Sequence, residues 1–190
     1  MAGKNGDGFK PLARFIHEAG QLKKFPRSGW LSIGIKSPES IADHSWRTAL
    51  IGFILARMEG ADEKKVLELC LFHDLHETRI GDLNYVSRRY VKKDVKAAVG
   101  AELSGVPSGP EIKSLVLEFS AQKTKESLIA KDADLLEMIA QARDYMDSGN
   151  SYAKEWIPAA KRALKTKSAR RLAGALETAS SNEFWLSFKE

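Results

Sequence analysis

The stretch LFHDLHETRIGD, residues 71–82, sets His73, Asp74, His76, Glu77 and Asp82 directly behind an apolar run that contains Val66, Leu67, Leu69, Cys70 and Phe72. Such a run buries itself, and a buried charge is expensive unless it is paired or coordinates a metal. On a helix, His73 and Asp74 are neighbours about 100° apart, near enough for both side chains to reach one ion. Glu77 comes four residues after His73 and three after Asp74, on the same side. One helix end therefore offers an imidazole and two carboxylates. Imidazole nitrogen with carboxylate oxygen suits a divalent cation, and a cation so held can polarise a phosphoryl group and activate water.

Two ligands do not close a site, so others must come from other helices. ESIADHSWR (39–47) carries His44, 29 residues before His73. KDADLLEM (131–138) carries Asp132 and Asp134 in an otherwise apolar helix, Asp134 lying 60 residues after Asp74. Each has a plainer reading. A single histidine is more often a hydrogen-bonded core residue than a ligand, a single aspartate can face solvent, and an adjacent His-Asp pair is common by chance. Residue types and spacing alone leave the metal site and the plain reading both open.

The elements that must position these residues are helical nearly throughout. Phe9, Leu12, Phe15, Ile16, Ala19 and Leu22 recur at three and four residues, as on one helix face. FPRSGWLSIGIKSPES reads as a loop, broken by Pro26, Ser28 and Gly29. Ser37-Pro38 reads as an N-cap followed by a first-turn proline, with a helix running on to about Met58. The next helix is expected from about Glu63 to near Gly81, and a basic helix from about Ser87 to Leu103. GVPSGP (105–110) is a turn. Helices follow over roughly 111–121 and 124–147, SGN (148–150) breaks again, and one or two further helices fill 153–179. No strand alternation exceeds a few residues. The expected class is all-α, a compact multi-helix domain rather than a coiled coil.

Composition narrows the function classes. The chain has 190 residues, 43% of them apolar, which suits one domain over residues 9–190 behind a polar, glycine-rich tail, residues 1–8. No apolar run reaches a membrane span, and the first residues lack the apolar stretch of a secretory signal. The single cysteine, Cys70, cannot form an internal disulfide, so a cytoplasmic setting is expected. Cys70 reads as core rather than nucleophile, and His17 as an ordinary half-exposed residue. The net charge of +5 favours anionic partners. Its excess falls in SRRYVKKDVK (87–96) and KRALKTKSARR (161–171), both read as solvated helix faces.

The ordered set His44, His73-Asp74 and Asp134 resembles that of the HD-domain metal-dependent phosphohydrolases. RSGW (27–30), PESIADHSWR (38–47), HDLHETRIGD (73–82) and KDADLLEM (131–138), in that order, resemble the small 5′-deoxynucleotidase subfamily, which cleaves deoxynucleoside 5′-monophosphates. The likeness covers about residues 10–150. It implies an all-helical fold, a divalent metal (manganese, cobalt, another transition metal or magnesium) and a homodimer. Carried over residue by residue, it makes His44, His73, Asp74 and Asp134 the metal ligands. Asp134 rather than Asp132 matches, three residues after Lys131, and Asp132 is expected on another, solvated face. Glu77 matches the catalytic carboxylate, Asp82 an acid near phosphate and sugar, and Trp30 a tryptophan of the nucleotide pocket.

Some members have an arginine directly before that tryptophan, where Gly29 stands here, and Arg27 is expected to reach the same phosphate. Lys131 is a second candidate for phosphate charge. Trp30 has an alternative reading as a loop anchor in the core. His76 is expected to support the ligands rather than bind a second metal. The implied reaction is phosphate release from nucleoside 5′-monophosphates, with deoxyribose preferred. Two other readings compete: the same metal chemistry on another nucleotide or phosphoester, and a nucleic-acid-binding helical protein. The second has no recognised binding motif and leaves the acid–histidine set unexplained.

Overall fold

A computed structural model of the chain describes residues 8–189. Apart from Gly8, the expected tail lies outside the described residues. The elements in order are α1 (Phe9–Ala19), α2 (Ser28–Leu31), α3 (Ile41–Glu59), α4 (Glu63–Phe72), α5 (Glu77–Ile80), α6 (Val95–Glu102), α7 (Gly109–Ala121), α8 (Lys125–Asp147), α9 (Ile157–Ala163), α10 (Lys167–Thr178) and α11 (Glu183–Leu186). Short 3₁₀ turns cover Gly20–Lys23, Ser87–Arg89, Ser151–Trp156 and Ser187–Lys189. Among the described residues there is no strand, only an isolated antiparallel bridge between Pro26 and Ser40. The all-α class is as expected. No described helix is long and apolar enough to cross a membrane.

Polar side chains at the helix starts explain most boundaries. Ser40 and Asp43 form a reciprocal capping box, so α3 begins at Ile41 and not at Pro38. Asp62 caps α4, Thr124 with Ser127 caps α8, and Thr166 caps α10. Each such cap is worth about 1 kcal/mol. The basic helix expected from Ser87 is mostly absent. Its only α-helical part is α6, whose N-cap Asp94 accepts from the Ala97 N–H at 2.9 Å. The preceding residues have no apolar period to bury and run as a 3₁₀ turn and an irregular segment. FPRSGWLSIGIKSPES, expected as a loop, contains the one-turn helix α2.

Helices α3, α4 and α8 pack together around the larger of two apolar clusters, which includes Leu55, Val66, Leu69, Ile129, Leu136 and Ile139. At the α3–α4 crossing a Cβ on Gly52 would lie 2.6 Å from the Cys70 Sγ, so only glycine allows this approach. The smaller cluster holds Leu22, Ile41, Leu75, Val99, Leu103, Ile112 and Val116. The chain crosses between the clusters at each candidate histidine. Ile41 and Ala49 flank His44, and Leu75 and Cys70 flank His73. This redirection ends α4 at Phe72 instead of carrying it to Gly81. Leu75 must turn into the second cluster, and the chain resumes as α5 with Glu77 in its first turn.

Candidate metal centre

Three helices meet where the two clusters adjoin. His44 comes from the inner face of α3 and is fully buried; His73 closes α4 and is 1% exposed. Their Nε2 atoms lie 3.3 Å apart. The His44 Nε2 is 3.2 Å from the Asp134 Oδ1 on α8 and 3.8 Å from the Asp74 Oδ2, and the His73 Nε2 is 3.0 Å from that same Asp74 oxygen. Ligands about 2.0–2.2 Å from one ion are themselves roughly 3.0–3.5 Å apart, and His44, His73 and Asp134 form a group whose ligand atoms all lie within 4.8 Å of one another, close enough to share a cation. Of the expected set, these three come together, and Asp74 lies against both rings without joining that group.

The far nitrogen of each ring fixes its tautomer. The His73 Nδ1–H donates to the Cys70 carbonyl at 2.7 Å. The His44 Nδ1–H donates to the Glu137 Oε2. With Nδ1 so engaged, each ring turns its Nε2 toward the other and the two carboxylates. Such a set of acceptors is satisfied only by a proton or a cation. Burial and Arg27 oppose a charge on His44, but Glu137 and Asp134 outweigh them and lift its pKa to about 10. Burial also disfavours the Asp74 and Asp134 carboxylates, yet His73, Arg27 and His44 hold the first well below its ordinary range, and Lys131, His44 and His73 the second. The surroundings thus favour two anions and one positive charge at the same point.

Behind His44 stands a support that the sequence reading missed. Arg47 donates to the Glu137 Oε1 through Nε at 3.0 Å and Nη2 at 2.8 Å, and to the Asp144 Oδ2 through Nη1 at 2.7 Å. Glu137 is completely buried, and His44 and Arg47 keep it ionised against the cost of burial. The signal was available, since Arg47 follows His44 and Glu137 follows Asp134 by three residues, each on the same helix face.

Around this candidate centre lie the remaining expected residues. The Arg27 Nη1 is 3.4 Å from the Asp74 Oδ2 and 4.0 Å from the Asp82 Oδ1. Asp82 also accepts from the Ser28 N–H at 2.7 Å, and its carbonyl accepts from the Ser28 hydroxyl at 2.8 Å, which ties down the loop bearing Arg27. The Lys131 ammonium sits 2.6 Å from the second oxygen of Asp134. Glu77 is 3% exposed, its Oε1 2.8 Å from the Lys93 ammonium and its Oε2 without a hydrogen-bond partner. Burial, then Asp74 and Asp82, raise its pKa to about 8, and Lys93 pulls the other way. Lys93 was expected on a solvated basic face. It is half-buried against Glu77 instead, because the irregular segment before α6 brings it inward.

Three expectations are corrected or narrowed. Asp132 is not solvated. It is fully buried and accepts from the Lys165 N–H at 2.8 Å and the Thr166 N–H at 2.7 Å, holding the start of α10. Trp30 takes the loop-anchor place. Only 3% of it is exposed, its Nε1–H donates to Glu39 at 3.0 Å, and Tyr145 and Trp156 pack on the ring at 5.1 and 5.2 Å. As arranged, it offers a nucleoside no open face. His76 is 7% exposed, with its Nδ1 buried and unpartnered, and stands outside the group of His44, His73 and Asp134.

Comparison with known proteins agrees with this geometry. The family model described as HD domain matches residues 19–178. The chain belongs to the HD-domain family. The 5′-deoxynucleotidase HDDC2 of Dictyostelium discoideum is 35% identical over 144 residues, spanning 69% of this chain and 75% of that protein. The 5′-deoxynucleotidase hdd1 of Schizosaccharomyces pombe is 33% identical over 143 residues, 70% of this chain and 72% of that one. Among solved structures, the PH0347 protein of Pyrococcus horikoshii superposes with a TM-score of 0.73 at 32% identity, over 87% of this chain and 98% of its own. The HD-domain match takes in the segments bearing His44, His73, Asp74 and Asp134.

Proposed function

We propose that this HD-domain protein is a divalent-metal-dependent phosphohydrolase that releases inorganic phosphate from deoxynucleoside 5′-monophosphates. The observation that carries the reading is the convergence of the His44 and His73 Nε2 atoms with an Asp134 oxygen, the ligand atoms all within 4.8 Å of one another, and with an Asp74 oxygen 3.0 Å from the His73 ring and 3.8 Å from the His44 ring. Its similarity to the two 5′-deoxynucleotidases supports the substrate class. Manganese, cobalt, another transition metal or magnesium fits a two-nitrogen, two-carboxylate set. When bound, the metal supplies Lewis acidity toward the phosphoryl group and a lower pKa for water.

The chain's own groups do the rest. Glu77 takes the proton of the attacking water, a role suited to a carboxyl whose pKa lies near neutrality. Lys93 fixes its orientation from the side. Water oxygen bonds to phosphorus as the phosphorus–O5′ bond breaks, and the proton gained by Glu77 balances the one that the departing 5′-oxygen needs. Arg27, held by Asp82 and its loop, presents a guanidinium to the phosphate oxygens, and Lys131 adds a second positive charge. In this reading residues 9–190 act as one HD-type domain, in the cytoplasm and as a homodimer.

Matched ribo- and deoxyribonucleoside 5′- and 3′-monophosphates, assayed for phosphate release with manganese or cobalt, test the proposal. Release from 5′-monophosphates is expected, with deoxyribose preferred. An apolar wall rejects an added hydroxyl by only ~10²-fold, so the ribonucleotides are expected to react more slowly rather than not at all. Faster release from 3′-monophosphates, or release only from triphosphates, refutes it.

A further inference from the structure

The chain leaves the candidate centre at Asp82 and returns to it at Lys93. Asp82 lies against Arg27 and accepts from the Ser28 N–H, and the Lys93 ammonium lies 2.8 Å from Glu77. The residues between, 83–92, therefore form a strap with both ends fixed at the rim of the site. Its fold is local. The Asn84 side chain accepts from the Val86 and Ser87 N–H groups at 3.0 Å, Ser87–Arg89 form a 3₁₀ turn, and the Ser87 carbonyl accepts from the Tyr90 and Val91 N–H groups at 3.0 and 3.1 Å. Three residues of chain span about 11 Å at most. Tyr85 stands three residues after Asp82 and Tyr90 three before Lys93, so both are carried at the edge of the site.

The two tyrosines are not equivalent. The guanidiniums of Arg88 and Arg89 both lie 5.0 Å from the centre of the Tyr85 ring, and Arg89 also donates to its hydroxyl at 2.9 Å. Tyr85 is thus engaged within the strap and stiffens it. Tyr90 is 84% exposed, and among the described residues no ring or cation packs on it. A nucleotide needs such a face, because Trp30, the tryptophan expected to meet the nucleoside, is closed off by Tyr145 and Trp156. The charge around Tyr90 suits the same ligand. Arg88, Arg89, Lys92 and Lys96 are exposed, and the one acid among residues 83–96, Asp94, is engaged as the N-cap of α6. Positive charge alone attracts any anion. A free ring adds what a base can use and an inorganic anion cannot.

We infer that Tyr90 holds the base of the substrate by stacking, on a strap whose two ends are tied to groups of the site. The inference rests on the nucleotidase reading for the identity of the ligand. Every base has a π-face, so a stacked tyrosine grips each of them with little preference. The strap accordingly gives affinity for nucleotides over simple phosphate esters without choosing strongly among bases.

Titration calorimetry on the full chain in the presence of manganese tests this with two phosphonates that cannot turn over. One is the analogue of deoxyadenosine 5′-monophosphate in which carbon replaces the 5′-oxygen, and the other is the matching sugar phosphonate without the base. Wild type should bind the nucleotide analogue at least about tenfold more tightly, and Tyr90→Ala should remove most of that difference. Tyr90→Phe keeps the ring and should bind like wild type. Tyr90 is so exposed that neither change should disturb the fold, as an unchanged melting temperature would report. Absence of binding, or equal affinity of wild type for the two analogues, overturns the inference. So does a Tyr90→Ala protein that still discriminates, a loss shared equally by both ligands, or a loss as large in Tyr90→Phe. Tighter binding of a short oligodeoxythymidylate than of the mononucleotide analogue also overturns it, by making the strap a surface for a polymer. None of these readouts depends on hydrolysis. An inert protein whose Tyr90 still grips the base refutes the nucleotidase reading alone, and an active one indifferent to Tyr90→Ala refutes the inference alone.

Discussion

Asp132 and Asp134 stand two residues apart on α8, about 200° around the helix from each other, and the structure gives them separable tasks. Asp134 points to the two histidines. Asp132 points the other way and receives two backbone N–H groups, those of Lys165 and Thr166. Asp132→Ala removes both acceptors. A hydrogen bond to a charged group contributes about 1.5–3 kcal/mol, and Lys165 is exposed enough for water to replace part of what is lost. The expected loss of stability is roughly 3 kcal/mol. For a chain of this size that is a fall in Tm of about 6–12 °C. Its metal content should match wild type, since no ligand atom is touched. Asp134→Ala should do the reverse to the metal and lose it almost entirely. Thermal unfolding and metal analysis on the same purified samples decide the matter. If Asp132→Ala melts with wild type, the clamp on α10 carries no energy. If Asp132→Ala loses the ion while Asp134→Ala keeps it, the ligand register is wrong.

Other perturbations probe other parts. Glu77→Gln should retain metal yet lose turnover by about a hundredfold or more, and near-normal turnover in the loaded variant removes Glu77 from the proton step. Glu137→Gln weakens the hold on the His44 Nδ1–H and leaves Arg47 with Asp144 as its acidic partner, so metal affinity measured by competition with a chelator should fall about 10–100-fold; an unchanged affinity refutes the supporting role. Glu102 is buried, and burial followed by repulsion from Glu18 raises its pKa from 4.5 to about 7. An acid raised on folding binds more protons folded than unfolded, so it costs nothing below about 4.5 and costs stability progressively as pH climbs toward 7. Urea unfolding at pH 5 and pH 8 should show a smaller decline for Glu102→Gln than for wild type, and equal declines refute the assignment.

The candidate ligands were read on the premise that a helix converts spacing into direction. His73, Asp74 and Glu77 were placed on one helix by its pitch, but α4 ends at Phe72 and α5 begins only at Glu77, and the redirection by Leu75 could not be read from the pattern. His44 and Asp134 were legible by order and resemblance, not by period. Asp132 was misread because its partners are backbone groups 33 and 34 residues downstream, and a backbone N–H has no letter in a sequence. Lys93 was misread for a different reason. A run of charges is normally solvated, and what turns this one inward is the failure of the segment before Asp94 to form a helix.

Both misreadings involve charges whose partners lie on other elements, and this also explains why LFHDLHETRIGD can be buried at all. Asp74 is offset by Arg27, Asp134 by Lys131, Glu137 by Arg47 and Glu77 by Lys93. The offsets alternate in sign outward from the candidate centre. Removing one charge at the rim therefore unpairs its neighbour, which is costly in a low-dielectric interior. The acceptor atoms at the centre, the two Nε2 lone pairs and the two aspartates, end this alternation facing one another. A divalent cation completes it there, and for that reason metal binding should raise the melting temperature of the wild-type protein and do so far less in Asp134→Ala.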